Sequence, residues 1–261
     1  MTTPMLANKR LLITGVVNTD SIAYATAVAA IDAGAEIILS SLGRDLDATT
    51  LAAETLRGEV DVLEADLTDP EHLTRLTDHL DRRWGRLDGA LHAVAFAPRD
   101  ALAGDFLATS SEAAGRAFQT STHSYASLAS VLQALAPTQG GSIVGLDFDA
   151  AGAWPVYNWM GVCKAGLEAV SRYVARDLGP RRIRSNLVAA GPLHTRAAGG
   201  IPDFDQLTNA WEDRSPLPWD AKDSAPVADA VCFLLSDLSR MVSGEILHVD
   251  GGYHAMAAPL R

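Results

Sequence analysis

Short apolar runs alternate with longer amphipathic stretches along this chain, and that alternation constrains its fold more than any other feature. Residues 11–14, 36–40, 60–63, 87–94, 142–146, 183–188 and 244–249 read as strands. Helical patterns fill most of the intervals, over about 21–33, 45–57, 70–84, 110–135, 157–178 and 225–236. Ser21 is placed to cap the first helix and Gly34 to stop it, and Leu73, Leu76 and Leu80 share one face of the third. Strands separated by helices make βαβ units, whose right-handed crossovers build a parallel sheet covered on both faces. The expectation is an α/β protein with a doubly wound parallel sheet, a Rossmann fold. No Pro/Ser-rich linker and no repeat breaks the pattern, so residues 1–261 read as a single domain. Segment 193–222, with Pro202, Pro216 and Pro218, is too long for an ordinary connection and is expected to be a lid or binding loop.

Composition narrows the function classes. The net charge of −11 argues against nucleic acid as a main partner, because phosphate backbones attract basic surfaces. Two cysteines, Cys163 and Cys232, are too few for a disulfide framework or a multi-cysteine zinc site. His72, His79, His123, His248 and His254 lack metal-ligand spacing, so no metal is expected. No apolar run approaches the roughly 18 residues of a membrane span, and the first ten residues lack the apolar core of a secretory signal. The expected location is the cytoplasm, with no membrane partner.

Three segments carry candidate chemistry. The turn Thr14-Gly-Val-Val-Asn-Thr-Asp-Ser-Ile22 joins the first strand to the first helix. In a doubly wound sheet it lies at the ligand-binding edge, where a helix N-terminus offers free amides to a pyrophosphate. It holds one glycine, Gly15, where the dinucleotide fingerprint has three, so an ordinary βα turn is an equal reading. Tyr157 and Lys164 are seven positions apart, two helical turns along one face. An ammonium near a phenol favours the phenolate and can hold ribose hydroxyls, and such a pair suits proton donation to a developing oxyanion. Gly191-Pro192 ends a strand, and Thr195 offers a hydroxyl toward a phosphate; alone, this is a plain strand-ending turn.

Together these segments resemble the short-chain dehydrogenase/reductase superfamily, and within it the enoyl-acyl-carrier-protein reductases of bacterial fatty acid synthesis. The resemblance runs end to end. It is carried by Ser21-Ile22, His92-Ala-Val-Ala-Phe-Ala-Pro98, Gly141-Gly-Ser-Ile-Val-Gly-Leu-Asp-Phe-Asp149, Pro155-Val-Tyr-Asn-Trp-Met160, Arg184-Ser-Asn-Leu-Val-Ala-Ala-Gly-Pro192 and Gly244-Glu-Ile-Leu-His-Val-Asp-Gly-Gly252. Six residues between Tyr157 and Lys164, rather than three, mark this branch. Phe148-Asp149 is similar to the actinobacterial, mycobacterial-type members.

The resemblance implies an oxidoreductase that transfers hydride to the β-carbon of a trans-2-enoyl thioester, carried on acyl carrier protein or CoA. Tyr157 would stabilise the enolate, Lys164 would hold the nicotinamide ribose, and Phe148 would pack beside the reacting group. Gly15, Ser21 and Ile22 would meet the pyrophosphate, and Asp66 and Leu67 the adenine. Val94 and Ala95 would line the cofactor's path, and Leu193 would meet its amide, with Gly191, Pro192 and Thr195 alongside. Leu42 and Arg44, after the second strand, bear on the cofactor's form. The run Ser40-Ser-Leu-Gly-Arg44 has no acid for a ribose 2′-hydroxyl and one Arg. Mycobacterial-type relatives share that Arg and use NADH, so NADH is expected, with NADPH as the other option. The same resemblance implies a homotetramer.

For substrate, Phe96, Phe148, Tyr157, Met160, Ile201, Phe204, Leu207 and Trp211 are the candidates. Residues 204, 207 and 211 would share one face of a short helix in the lid. This stretch is shorter than in mycobacterial-type members, whose long loop goes with very long acyl chains. Two alternatives stand beside this reading. One is a reductase of a polyketide, imine or other conjugated substrate in secondary metabolism, left open by Ala93 where a Ser usually follows the His. The other is a non-catalytic dinucleotide-binding sensor, against which the retention of both Tyr157 and Lys164 argues.

Overall fold

The computed structural model describes residues 3–258. Seven strands, β1 (Arg10–Thr14), β2 (Glu36–Ser41), β3 (Asp61–Glu64), β4 (Gly89–His92), β5 (Gly141–Asp147), β6 (Ile183–Ala190) and β7 (Ile246–Val249), form one parallel sheet in the order β3-β2-β1-β4-β5-β6-β7. The expected doubly wound architecture is present. Crossovers run one way from β1 and the other way from β4, so the strand order reverses between them. That reversal places a crevice at the strands' carboxyl ends.

The α-helices are α1 (Ile22–Asp32), α2 (Leu46–Ala53), α3 (Pro70–Trp84), α4 (Arg99–Leu102), α5 (Ser111–Phe118), α6 (Ser124–Leu135), α7 (Asn158–Leu178), α8 (Asp205–Arg214) and α9 (Ala225–Leu235). Two apolar layers cover the sheet. Ala27 of α1 and Val231 of α9 pack with Leu11, Ile13 and Leu39 on one face. Leu80 of α3, Leu128 of α6 and Leu167 of α7 pack with Leu12, Ile38 and Ile143 on the other. Strand neighbours such as Leu11 and Leu12 serve opposite layers because side chains alternate across a sheet. Among the described residues, no helix is long and apolar enough to cross a membrane.

Three elements differ from the sequence reading. The helix expected over 110–135 is α5 and α6 joined by a π-bulge at Gln119–His123. The bulge holds Thr120, Ser121 and Thr122, whose hydroxyl groups compete with regular helix bonding. Ser121 Oγ accepts from Phe96 N–H and donates to Phe96 C=O, both at 2.9 Å, while Thr122 Oγ1 donates to Cys163 C=O at 2.7 Å. β4 ends at His92 rather than 94, because Ala93 N–H turns to Thr14 Oγ1. Segment 193–222 is not wholly irregular, since it contains α8, with Leu207 and Trp211 buried one turn apart.

His92 closes the core beneath the crevice. Its Nε2 lies 2.8 Å from Ser124 Oγ, its ring sits edge-on to Tyr125, and its Nδ1 has no partner. Burial, with the Lys164 ammonium adding to it, pushes the imidazole down to about 3. The folded protein therefore keeps His92 neutral, whereas the unfolded chain takes up the proton near 6.5. Stability linked to this group is present above that value and is lost as pH falls toward 3. Urea unfolding between pH 6.5 and 4.5 should show it. The His92→Gln variant should lose stability less steeply than wild type, the difference approaching about 1.4 kcal/mol per pH unit. Parallel slopes would show that this imidazole does not govern acid sensitivity.

Candidate active site

A cleft of about 680 Å³ opens above the carboxyl ends of β1, β2 and β4, within the range of small-molecule sites. Thr14 and Gly15 form its floor, and Ser41, Leu42, Arg44, Asp66 and Leu67 one end. Val94, Ala95 and Lys164 line the other side. Gly15 adopts φ +80°, and the Ala93 carbonyl oxygen stands 2.0 Å from where a Cβ would be. Only glycine fits there. Its volume, with a glycine-floored backbone turn at one side and a buried ammonium at the other, fits a dinucleotide.

Not every expected cofactor residue borders the cleft. The Ser21 hydroxyl caps α1, donating to Asn18 C=O at 2.9 Å and accepting from Tyr24 N–H at 3.1 Å. Ile22 packs against the core on the α1 side, and Leu193 is buried within it. Thr195 Oγ1 accepts from Ala198 N–H at 3.2 Å, so its hydroxyl supports the next turn. Gly191 and Pro192 lie under two indoles: a Cβ on Gly191 would stand 2.7 Å from Trp211 Nε1, and Trp219 Nε1 donates to Pro192 C=O. Arg196 and Ala197, just beyond, reach the cleft instead.

The expected substrate residues converge, with one exception. Phe148, Tyr157, Met160, Leu207 and Trp211 are buried in one apolar cluster, and Ile201 and Phe204 pack against it. The Phe148 ring lies 5.0 Å from the Tyr157 ring and 5.7 Å from that of Trp211. Trp211 stacks on Tyr253 at 3.8 Å and donates to Asp250 C=O at 3.1 Å. Trp154 and Tyr253 complete the cluster. Sequence reasoning missed both, because they come from the loop after β5 and the turn after β7, and no spacing links them. Phe96 stands elsewhere: it lines the cofactor cleft, with the Arg44 and Arg116 guanidiniums each 5.8 Å from its ring centre.

Tyr157 and Lys164 divide between the two spaces. Tyr157 occupies the N-cap of α7, between Val156 at φ +56° and Asn158 at φ +34°. A β-branched residue in the left-handed region is strained, and such strain gathers at functional turns. Asn158 Nδ2 donates to Gly104 C=O at 3.2 Å, tying the turn to the loop before α5. One turn into the helix axis and another beyond, Lys164 extends its Nζ to Leu146 C=O at 2.8 Å. Both side chains are buried.

The electrostatics correct one expectation. Lys164 does not draw Tyr157 toward phenolate. Burial, then the charges of Asp147 and Cys163, push the phenol well above its ordinary value. Tyr157 is therefore a neutral hydrogen-bond donor. Burial likewise lowers the Lys164 ammonium, with Asp147 and Cys163 opposing that shift. Asp147 is itself buried with both oxygens unpartnered, and burial raises it to about 7 despite Lys164. Cys163 is buried in the cluster, its thiol raised by burial, and has no thiolate character to offer. Among the described residues, no three His, Cys, Asp or Glu side chains are grouped to hold a metal ion.

Known proteins resemble this chain in sequence. The family model described as enoyl-(acyl carrier protein) reductase matches residues 15–254. The enoyl-[acyl-carrier-protein] reductase [NADH] of Mycolicibacterium smegmatis is 39% identical, over 96% of this chain and 97% of its own length. That of Mycobacterium avium is 38% identical, over 95% and 97%. The enoyl-[acyl-carrier-protein] reductase [NADH] 1 of Rhizobium meliloti is 40% identical, over 97% and 92%. A model matching residues 15–254, and relatives aligned along almost their full lengths, place this chain in the enoyl-(acyl carrier protein) reductase family.

Proposed function

We propose that this protein reduces the 2,3 double bond of an enoyl thioester with NADH, as a step of fatty acid synthesis. The observation that carries the reading is the division of labour between Tyr157 and Lys164. Lys164 lines the cofactor cleft, whereas Tyr157 lies in the apolar cluster against Phe148. Bound NADH would supply the hydride to the β-carbon, and solvent the proton that completes the reduction at the α-carbon. Tyr157, kept protonated by burial, donates a hydrogen bond to the thioester oxygen and stabilises the enolate as it forms. Phe148 lies against that phenol, with Trp154 and Trp211 packed on Phe148, and this apolar surround strengthens the bond. Lys164 holds the nicotinamide ribose and orients the cofactor against the substrate. Gly15, Leu42, Arg44, Asp66, Leu67, Val94 and Ala95 bind the rest of the cofactor. Among the relatives, the names carry acyl carrier protein as the thioester's bearer, and the same carrier is proposed here, with CoA thioesters as surrogates. A homotetramer is the proposed assembly.

NADH oxidation with crotonyl thioester tests the reaction. Tyr157→Phe should lower kcat on the order of 10²-fold with NADH affinity nearly unchanged. Lys164→Met should weaken NADH binding as well as turnover, by calorimetric titration. If Tyr157→Phe turned over at the wild-type rate, or if the wild type bound NADH without turnover, this reading would fail.

The lid sets a second expectation. Leu207 and Trp211 close directly over the cluster that holds Tyr157, and both are almost fully buried. Little lid remains to wrap a long acyl chain, although each methylene buried is worth about 0.8 kcal/mol. The value of kcat/KM should rise from four carbons to medium chains and then level off. A steady rise through very long chains would show that the lid does not bound the acyl pocket.

A further inference from the structure

The adenosine end of the cleft sends mixed signals. β2 ends in Ser40-Ser41, without the acid that accepts a ribose 2′-hydroxyl, and Arg44 nearby is the kind of residue that accepts a 2′-phosphate. Asp45 resolves the conflict. It occupies the N-cap of α2, yet its side chain makes no capping hydrogen bond. An aspartate at that position ordinarily accepts from its own helix. Here the carboxylate is turned to two arginines instead. Oδ2 lies 3.4 Å from Arg44 Nε, and Oδ1 lies 3.4 Å from Arg196 Nη1. The Asp45 side chain is only 14% exposed, while the two arginines are 65% and 61% exposed.

The two guanidiniums come from opposite walls. Arg44 follows β2, Arg196 follows β6 at the root of the lid, and both line the cleft together with Asp45. A second acid covers the same turn. The Glu64 carboxylate, at the end of β3, lies 2.6 Å from where a Cβ on Gly43 would stand.

We infer that Asp45 is the residue that makes this cleft refuse a 2′-phosphate. It holds both guanidiniums that such a phosphate would use, and it sets a carboxylate where the phosphate's charge would fall. A 2′-phosphate seated beside Arg44 would have to displace Asp45 from one or both arginines while facing its carboxylate as a like charge. A ribose with a free 2′-hydroxyl carries no charge and meets no such opposition. Taking Arg196 from Asp45 would also detach the root of the lid from the turn after β2. The form of the cofactor is thus set by an acid four residues beyond the strand, reached through two arginines. The inference rests on the placement of a nicotinamide dinucleotide in this cleft.

Calorimetric titration of the intact protein with NADH and with NADPH, without thioester, is the test. Wild type should bind NADH at least about tenfold more tightly. Asp45→Asn keeps the shape and removes the charge, and it should reduce that ratio by about tenfold or more through tighter NADPH binding. Adding Arg44→Ala or Arg196→Ala to Asp45→Asn should take back part of the gain, because each removes a guanidinium freed for the phosphate. Thermal melting confirms that each variant is folded, and Asp45→Ser serves if the Asn variant is not. Equal wild-type affinities for the two cofactors, or a ratio unmoved in both Asp45 variants, would overturn the inference. Enoyl thioester turnover is measured separately. A protein that discriminates between the cofactors but reduces no thioester would keep this inference and sink the proposed reaction.

Discussion

The fork between β1 and β4 is where the site begins. Thr14 Oγ1 donates to Leu91 C=O at 2.8 Å and accepts from Ala93 N–H at 3.2 Å, so one buried side chain replaces the next rung of the ladder. Beyond it the backbone of β4 can leave the sheet. Gly15 then lets the Ala93 carbonyl close in, and the two strands part around a groove with a peptide floor. A sheet whose crossovers all ran one way would have no such groove. Every group argued above to touch cofactor stands on an element that ends or starts at this edge.

Burial then assigns the charges. Lys164, Asp147, His92 and Tyr157 are all buried within or beside one small volume. Desolvation drives each toward its neutral form, and the opposite charges of Lys164 and Asp147 resist it. The outcome is a neutral imidazole, a neutral phenol and a carboxyl poised near neutrality behind the ammonium. For a reaction in which negative charge develops on a substrate oxygen, a protonated donor in a dry setting is the useful state. A preformed phenolate would repel that charge.

Periodicity made the sheet and both helical layers legible, because period 2 and period 3.6 are local properties of the chain. The π-bulge was hidden, since the partners of Ser121 and Thr122 are Phe96 and Cys163, remote in sequence. Within the site, Tyr157 and Lys164 were readable from spacing, and their different destinations were not. Tyr157 sits just outside α7, so its direction follows the strained turn rather than the helix. Asp45 drew no notice at the edge of the helical pattern over 45–57, and only the fold shows its carboxylate turned to Arg44 and Arg196. Phe96 passed for an acyl contact because aromatic character says nothing of which wall it serves.

The turn around Tyr157 also bears on how such a protein can change over time. Val156 holds a backbone conformation that glycine adopts freely and a β-branched residue resists. Replacing it with glycine would relieve local strain, yet would loosen the one segment that aims the phenol. Heat resistance and turnover therefore pull in opposite directions at this position. Variants selected for endurance alone would drift toward relaxed turns here, and selection for flux would keep the tension in place.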